Sequence, residues 1–132
     1  MRYVGIDYGE KRIGIALSDA EGRFAFSKEV IQNVSNPTDA VVAFCSKEGV
    51  STVIVGESKN YKGENNSIMK RIVPFVESLK KAGLSVVWEP EFMSSQQAEY
   101  HQGAIKKLDA SSAAIILQSY LENSFYRDSF VK

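Results

Sequence analysis

The N-terminal part of the chain limits the possible folds most strongly, because three strand-like segments follow one another across very short turns. "RYVGID" is an apolar segment that ends at Asp7, and the turn sequence "YGEK" follows it. "RIGIALSD" alternates apolar residues with polar residues or glycine, as a half-buried strand does. The turn "DAEG" then leads into "RFAFSKEVI". Connections this short predict an antiparallel meander of three strands.

After the meander the sequence changes to alternating helices and strands. Asn36 is a candidate N-cap, Pro37 occupies the first helical position, and Gly49 closes the predicted helix. The continuously apolar "STVIVG" predicts a central strand covered on both faces. A second helix ends at Gly83 and contains Pro74, where we expect a kink or an interruption.

The remaining elements complete an α/β pattern. "LSVVWEPE" predicts a fifth strand that Pro90 ends, and "SSQQAEYHQ" predicts a short helix. The last helix runs from about Asp109 to Glu122. A meander followed by βα crossovers predicts a mixed five-stranded sheet with helices on both faces. The length of 132 residues fits one domain over residues 1–132.

Composition excludes several classes of protein. Sixteen basic residues balance sixteen acidic ones, so a globally basic nucleic-acid binder is not indicated, although a local basic patch remains open. The single Cys45 excludes an intrachain disulfide and a cysteine-based zinc site. No apolar segment has the length of a membrane span, and Asp7 and Glu10 interrupt any signal-peptide core. We therefore expect a cytoplasmic protein.

Carboxylates stand at the ends of three predicted elements. Asp7 ends the first strand, Glu89 and Glu91 end the fifth, and Asp109 opens the last helix. The first and fifth strands are both candidates for central strands of the sheet. Parallel strands end on the same side of a sheet, where ligands gather, so Asp7 and one of the glutamates could converge there. Mg²⁺ or Mn²⁺ would relieve the repulsion between converging acids. Each acid also has a structural alternative: Asp109 as an N-cap, and either glutamate as an exposed residue after a strand.

Two long motifs resemble a known family. "VGIDYGEKRIGIALSD" and "LDASSAAIILQSYLE" are similar to the opening and closing motifs of the YqgF family, the Holliday-junction-resolvase-like proteins of the RNase H-like superfamily. "VIVGESKNYKGENN" and "VVWEPEFMSSQQAE" stand where the family has "VGLPLNMDG" and "WDERLTTVEAE". The resemblance implies an RNase H-like fold and a metal-dependent nuclease that matures the small-subunit ribosomal RNA precursor. Its partners would be structured RNA, branched DNA in the resolvase alternative, and a ribosomal precursor particle.

The resemblance assigns three catalytic and metal-binding acids. Asp7 matches the aspartate of the first strand, and Asp109 matches the aspartate before the last helix. Counting back from Ala98–Glu99, Glu91 matches the glutamate of the family's "DER" motif, and Glu89 does not. We expect Asp7, Glu91 and Asp109 to hold the metal ions.

Two residues depart from that motif. Pro90 stands where the family has an aspartate, and Phe92 stands where it has an arginine. Arginine can grip a phosphate through two parallel hydrogen bonds, and phenylalanine cannot. The departures leave open a non-catalytic RNA-binding protein that kept the fold. An ATPase of the actin-like type is disfavoured, because such proteins close two domains of related fold around the nucleotide.

Four residues are candidates for binding the substrate. Lys11 and Arg12 follow Asp7 at the first turn, where they could meet a phosphate backbone or stay solvated. Lys59 and Asn60 belong to the loop that corresponds to the family's glycine-rich loop.

Overall fold

The structure is a computed structural model that describes residues 1–58, 66–91 and 112–130, with side chains excluded at 91 and 124–130. It contains five strands and three helices in these ranges. The strands are β1 Val4–Tyr8, β2 Arg12–Ser18, β3 Ala25–Gln32, β4 Thr52–Ser58 and β5 Ser85–Glu91. The helices are α1 Pro37–Glu48, α2 Met69–Lys81 and α3 Ser112–Phe130.

The five strands form one mixed sheet in the order β3-β2-β1-β4-β5. β1 pairs with β2, and β2 with β3, in antiparallel fashion, which confirms the predicted meander. β4 lies parallel to both β1 and β5, so its position between two strands is also as predicted. The carboxyl ends of β1, β4 and β5 therefore lie on the same side of the sheet.

Helices cover both faces of the sheet, as predicted. Apolar residues alternate in direction along each strand, so each strand supplies two layers of core. On one face, α1 and α2 bury Val41, Cys45, Ile72, Phe75, Val76 and Leu79 against β1, β2 and β4. On the other face, α3 buries Ala113, Ala114, Ile116, Leu117 and Leu121 against Ala16 and Ile54. None of the helices described is long and apolar enough to cross a membrane.

The prediction for the fifth strand is wrong in two respects. Pro90 does not end β5 but lies inside it, paired with Glu57 of β4. β5 is also an edge strand of the sheet and not a central one. The two errors have one cause, since an edge strand needs no hydrogen-bond donor on its outer side and therefore tolerates proline.

Two local predictions for the helices are confirmed only in part. Asn36 precedes α1 as predicted, but its φ is 61° and its side chain makes no capping hydrogen bond. It donates instead to the carboxylate of Asp39 at 2.7 Å. For Pro74 the prediction was a kink or an interruption; α2 continues through this residue, so the interruption does not occur. Ser78 Oγ donates to the Pro74 carbonyl at 3.1 Å within this helix. The short helix predicted in "SSQQAEYHQ" lies outside the described residues.

Candidate functional site

Asp7 lies near the carboxyl end of the central strand β1, on the face that α3 covers. It pairs with Gly14 of β2, which has no side chain to fill the space in front of the carboxylate. Gly5, two residues earlier on the same face, lies directly beneath α3. The side chain of Ser112, at the start of α3, makes a hydrogen bond to Asp7. The first turn of α3 is thereby tied to the end of β1.

The Asp7 carboxyl is partly desolvated. Burial raises its pKa above the ordinary value, and the hydrogen bond from Ser112 opposes this effect more weakly. A carboxylate in this position is energetically costly to keep charged, and a nearby cation would offset the cost. Carboxylate oxygen is also the donor that Mg²⁺ and Mn²⁺ prefer. The chemistry of Asp7 therefore fits a hard divalent cation.

The turn after Asp7 is held in one conformation by backbone and side-chain hydrogen bonds. The Gly9 N–H donates to the Arg12 carbonyl at 2.9 Å. Asn33, just after β3, donates from its side chain to the Gly9 carbonyl at 2.8 Å and from its backbone to the Lys11 carbonyl at 2.8 Å. Lys11 and Arg12 are both exposed. Two basic residues are thus presented to solvent beside the carboxyl end of β1, where Asp7 lies.

Glu89 is held against α3. Its side chain is only 5% exposed. Its Oε1 atom accepts hydrogen bonds from Ser119 Oγ at 3.2 Å and from Asn123 Nδ2 at 3.1 Å. These contacts join the edge strand β5 to the helix and give Glu89 a structural role.

The other predicted site residues are less completely described. The backbone of Glu91 ends β5 opposite Ser58, two residues beyond Glu89 along the strand. The Glu91 side chain and the whole of Asp109, Lys59 and Asn60 lie outside the described residues. Within residues 1–58, 66–91 and 112–130, no cluster of three potential metal ligands occurs. The convergence of the three acids stays a prediction.

A second group of side chains surrounds Tyr8, on the opposite face of the sheet. The Tyr8 ring packs against Phe75 of α2, with ring centroids 5.0 Å apart. The Arg71 guanidinium carbon lies 5.9 Å from the centroid of the Tyr8 ring. Neither Arg71 nor Ser112 was among the residues predicted from the sequence. The signal for Arg71 was its position four residues before Phe75, which puts both residues on one face of α2.

The fold is shared with solved resolvases. Thermus thermophilus RuvC superposes with a TM-score of 0.64 at 18% identity, covering 98% of this chain and 96% of that one. The fowlpox virus resolvase, solved in complex with Holliday junction DNA, gives a TM-score of 0.54 at 16% identity with complete coverage of both chains. The chain therefore has the RNase H-like fold of the RuvC-type resolvases.

Sequence comparison identifies the family. The model of the RuvX family, described as Holliday junction resolvase, matches residues 1–123. A protein of Phocaeicola vulgatus is 35% identical over 95% of this chain and 98% of its own length. A protein of Desulforamulus reducens is 34% identical over 93% and 98%. Both are named "Putative pre-16S rRNA nuclease". The chain belongs to the RuvX family, also called YqgF, as its motifs predicted, and this is a family of nucleases.

Proposed function

We propose that this protein is a divalent-metal-dependent nuclease that matures the RNA precursor of the small ribosomal subunit. The observation that carries the proposal is the partly desolvated Asp7 carboxylate at the end of the central strand of an RNase H-like sheet. The names of the relatives support ribosomal RNA as the substrate. We propose that the reaction takes place in the cytoplasm, on a ribosomal precursor particle.

The chain offers three carboxylates for the metal. Asp7, Glu91 and Asp109 would hold one or two ions of Mg²⁺ or Mn²⁺. When bound, such ions activate a water molecule and stabilise the oxygen that departs from phosphorus. Ser112 orients the Asp7 carboxylate through its hydrogen bond. Family membership and the desolvation of Asp7 support this assignment.

The turn that follows Asp7 would position the substrate. Lys11 and Arg12 are exposed, and the hydrogen bonds of Asn33 fix the backbone that carries them. A pair of cations on such a backbone attracts a phosphate backbone without reading its sequence. Lys59 and Asn60, which follow β4 in the sequence, would contact the same nucleic-acid strand.

Cleavage of branched DNA is the second candidate activity. The description of the family model, which names a Holliday junction resolvase, is the observation behind it, and the names of the relatives do not favour it. Both activities use the same carboxylates and the same attack on a phosphodiester, so they differ in the shape of the nucleic acid that is bound. A non-catalytic RNA-binding protein is the alternative if neither substrate is cut.

The test compares wild type with Asp7→Asn on structured precursor RNA and on a four-way DNA junction, with Mn²⁺ and with a chelator. We expect wild type to cut the RNA only when Mn²⁺ is present. The amide of Asp7→Asn has nearly the same shape but lacks the ligand charge, so cleavage should be lost while binding remains. Glu122→Gln, an equivalent change at an exposed site on α3, should cut normally. Equal cleavage by wild type and Asp7→Asn would refute the assignment of Asp7.

A further inference from the structure

We propose that Arg71 and Tyr8 form a second nucleic-acid contact, in which Arg71 binds a backbone phosphate of the strand that lies at Asp7. The proposal rests on the nuclease function proposed above. It adds a site on the α2 face of the sheet to the contacts made by Lys11 and Arg12.

The Arg71 side chain lies over an aromatic ring. Its guanidinium carbon lies 5.9 Å from the centroid of the Tyr8 ring. Phe75, one turn further along α2, packs on the same ring at a centroid distance of 5.0 Å. Tyr8 is itself held by the backbone pairing of β1 with β2. The aromatic ring therefore limits the conformations of a long side chain that would otherwise be mobile, which lowers the entropic cost of binding a ligand.

The contact with the ring leaves Arg71 able to bind an anion. A guanidinium carries five N–H donors, and a contact with an aromatic face uses none of them as a conventional hydrogen bond. Arg71 is exposed, and no acidic side chain in the described part of the chain forms an ion pair with it. Lys70 beside it is also exposed, and the first turn of α2 contains no acidic residue. The first turn of α2 therefore presents two exposed basic residues.

The strand geometry relates this site to Asp7. Successive residues of a strand point to opposite faces, so Asp7 faces α3 while Tyr8 faces α2. Both residues lie at the end of β1, beside the turn that carries Lys11 and Arg12. A nucleic-acid strand that crosses the sheet at the carboxyl end of β1 would pass the α3 face and the α2 face. Arg71 would supply the planar phosphate-binding group that Phe92 cannot provide.

The experiment measures binding without cleavage. The affinity of the full chain for a labelled RNA hairpin is determined in chelator over a series of salt concentrations, for wild type, Arg71→Ala and Arg71→Gln. One lost phosphate contact should weaken binding by about tenfold. It should also reduce the slope of log affinity against log salt by about 0.7–0.9. Lys81→Ala, about 15 Å away at the other end of α2, removes the same charge and should change neither value.

Each outcome separates this contact from the proposed function. Unchanged affinity and slope in both Arg71 variants, with folding intact by circular dichroism, would show that Arg71 only packs on Tyr8. An equal loss in Lys81→Ala would also overturn the proposal, because it would mean that overall charge alone matters. If Arg71→Ala does not fold, Arg71→Gln decides. Cleavage by wild type in Mn²⁺ is scored separately, so a nuclease whose Arg71 variants bind normally refutes the contact alone.

Discussion

Gly5 of β1 and Leu117 of α3 are so close that no other residue fits at position 5 without movement. A Cβ atom on residue 5 would lie 2.6 Å from the Leu117 Cβ atom and 2.9 Å from the Ala113 carbonyl oxygen. Both neighbours belong to a helix that is packed on the central strand, and neither is the mobile end of a side chain. Gly5, two residues before Asp7, therefore sets the distance between α3 and the sheet.

Gly5→Ala should destabilise the protein by about 1–3 kcal/mol, because the added methyl group forces α3 away from β1. The shift should also weaken the hydrogen bond between Ser112 and Asp7, so the molecules that remain folded should cleave more slowly than wild type. Chemical denaturation gives the free energy of unfolding, and cleavage of the RNA precursor gives the activity.

Gly14→Ala is the matched control, since its added Cβ would lie 3.5 Å from the Ala113 Cβ atom and 3.8 Å from the Asp7 Cβ atom. These are ordinary contact distances. A glycine inside a strand carries an entropic cost, so Gly14→Ala should be neutral or stabilising by about 0.5–1 kcal/mol. If both variants were equally stable, the close contact at Gly5 would have no energetic consequence.

The sequence predicts the strands of this fold well, because their patterns are local. Alternation in "RIGIALSD" and the short turns around it suffice for the meander. The position of β5 in the sheet is not local, since it depends on which strands pair, and the misjudged role of Pro90 follows from that. The same limit applies to the candidate site. Asp7 is recognisable from its motif, whereas Ser112 and Arg71 acquire their roles only when helices pack on the sheet.

The two glutamates of β5 should differ in what their removal changes. Glu89→Ala removes a buried carboxylate and its two partly buried hydrogen bonds to Ser119 and Asn123, so it should cost about 1–3 kcal/mol of stability. Its activity per folded molecule should stay close to that of wild type. Glu91→Ala should keep the stability and abolish cleavage, because it removes a proposed metal ligand. The free energy of unfolding and the cleavage rate are measured for both variants. A greater loss of specific activity in Glu89→Ala than in Glu91→Ala would mean that Glu89, and not Glu91, is the metal ligand.

The turn between β2 and β3 should become less stable in acid. Asp19 Oδ1 accepts the backbone N–H groups of Phe24 at 3.0 Å and Arg23 at 2.7 Å, and these bonds lower its pKa below the ordinary value of 3.8. A depressed carboxyl pKa stabilises the fold above the unfolded-state pKa, and the stabilisation is lost as pH falls through the folded-state value. Asp19→Asn should therefore be less stable than wild type at neutral pH and equal to it in strong acid. Thermal melts across this pH range measure the difference, with Glu21→Gln in the same turn as the control. A difference that is independent of pH would exclude this mechanism.

Cys45 should be unreactive in the native protein. It lies on the buried face of α1, and burial raises the pKa of its thiol to about 11. Only the thiolate is nucleophilic, so at neutral pH a thiol reagent should modify Cys45 only after unfolding. The rate of modification should rise with denaturant in parallel with the loss of helical signal. Rapid modification without denaturant would mean that the packing of α1 on the sheet opens easily.

Metal binding should reverse the order of stability of wild type and Asp7→Asn. In chelator, the buried charge of Asp7 weakens the wild-type fold, since burial raises the carboxyl pKa. A raised carboxyl pKa means that the penalty is absent in acid and grows as pH rises through the folded-state value. Asp7→Asn avoids this penalty and should melt at a higher temperature than wild type at neutral pH.

Mn²⁺ at one hundred times its Kd should stabilise wild type by about 2.7 kcal/mol and leave Asp7→Asn nearly unchanged. Thermal melts with Mn²⁺ and with chelator measure both effects, and Glu122→Gln should follow wild type. A similar gain from Mn²⁺ in wild type and Asp7→Asn would place the metal elsewhere.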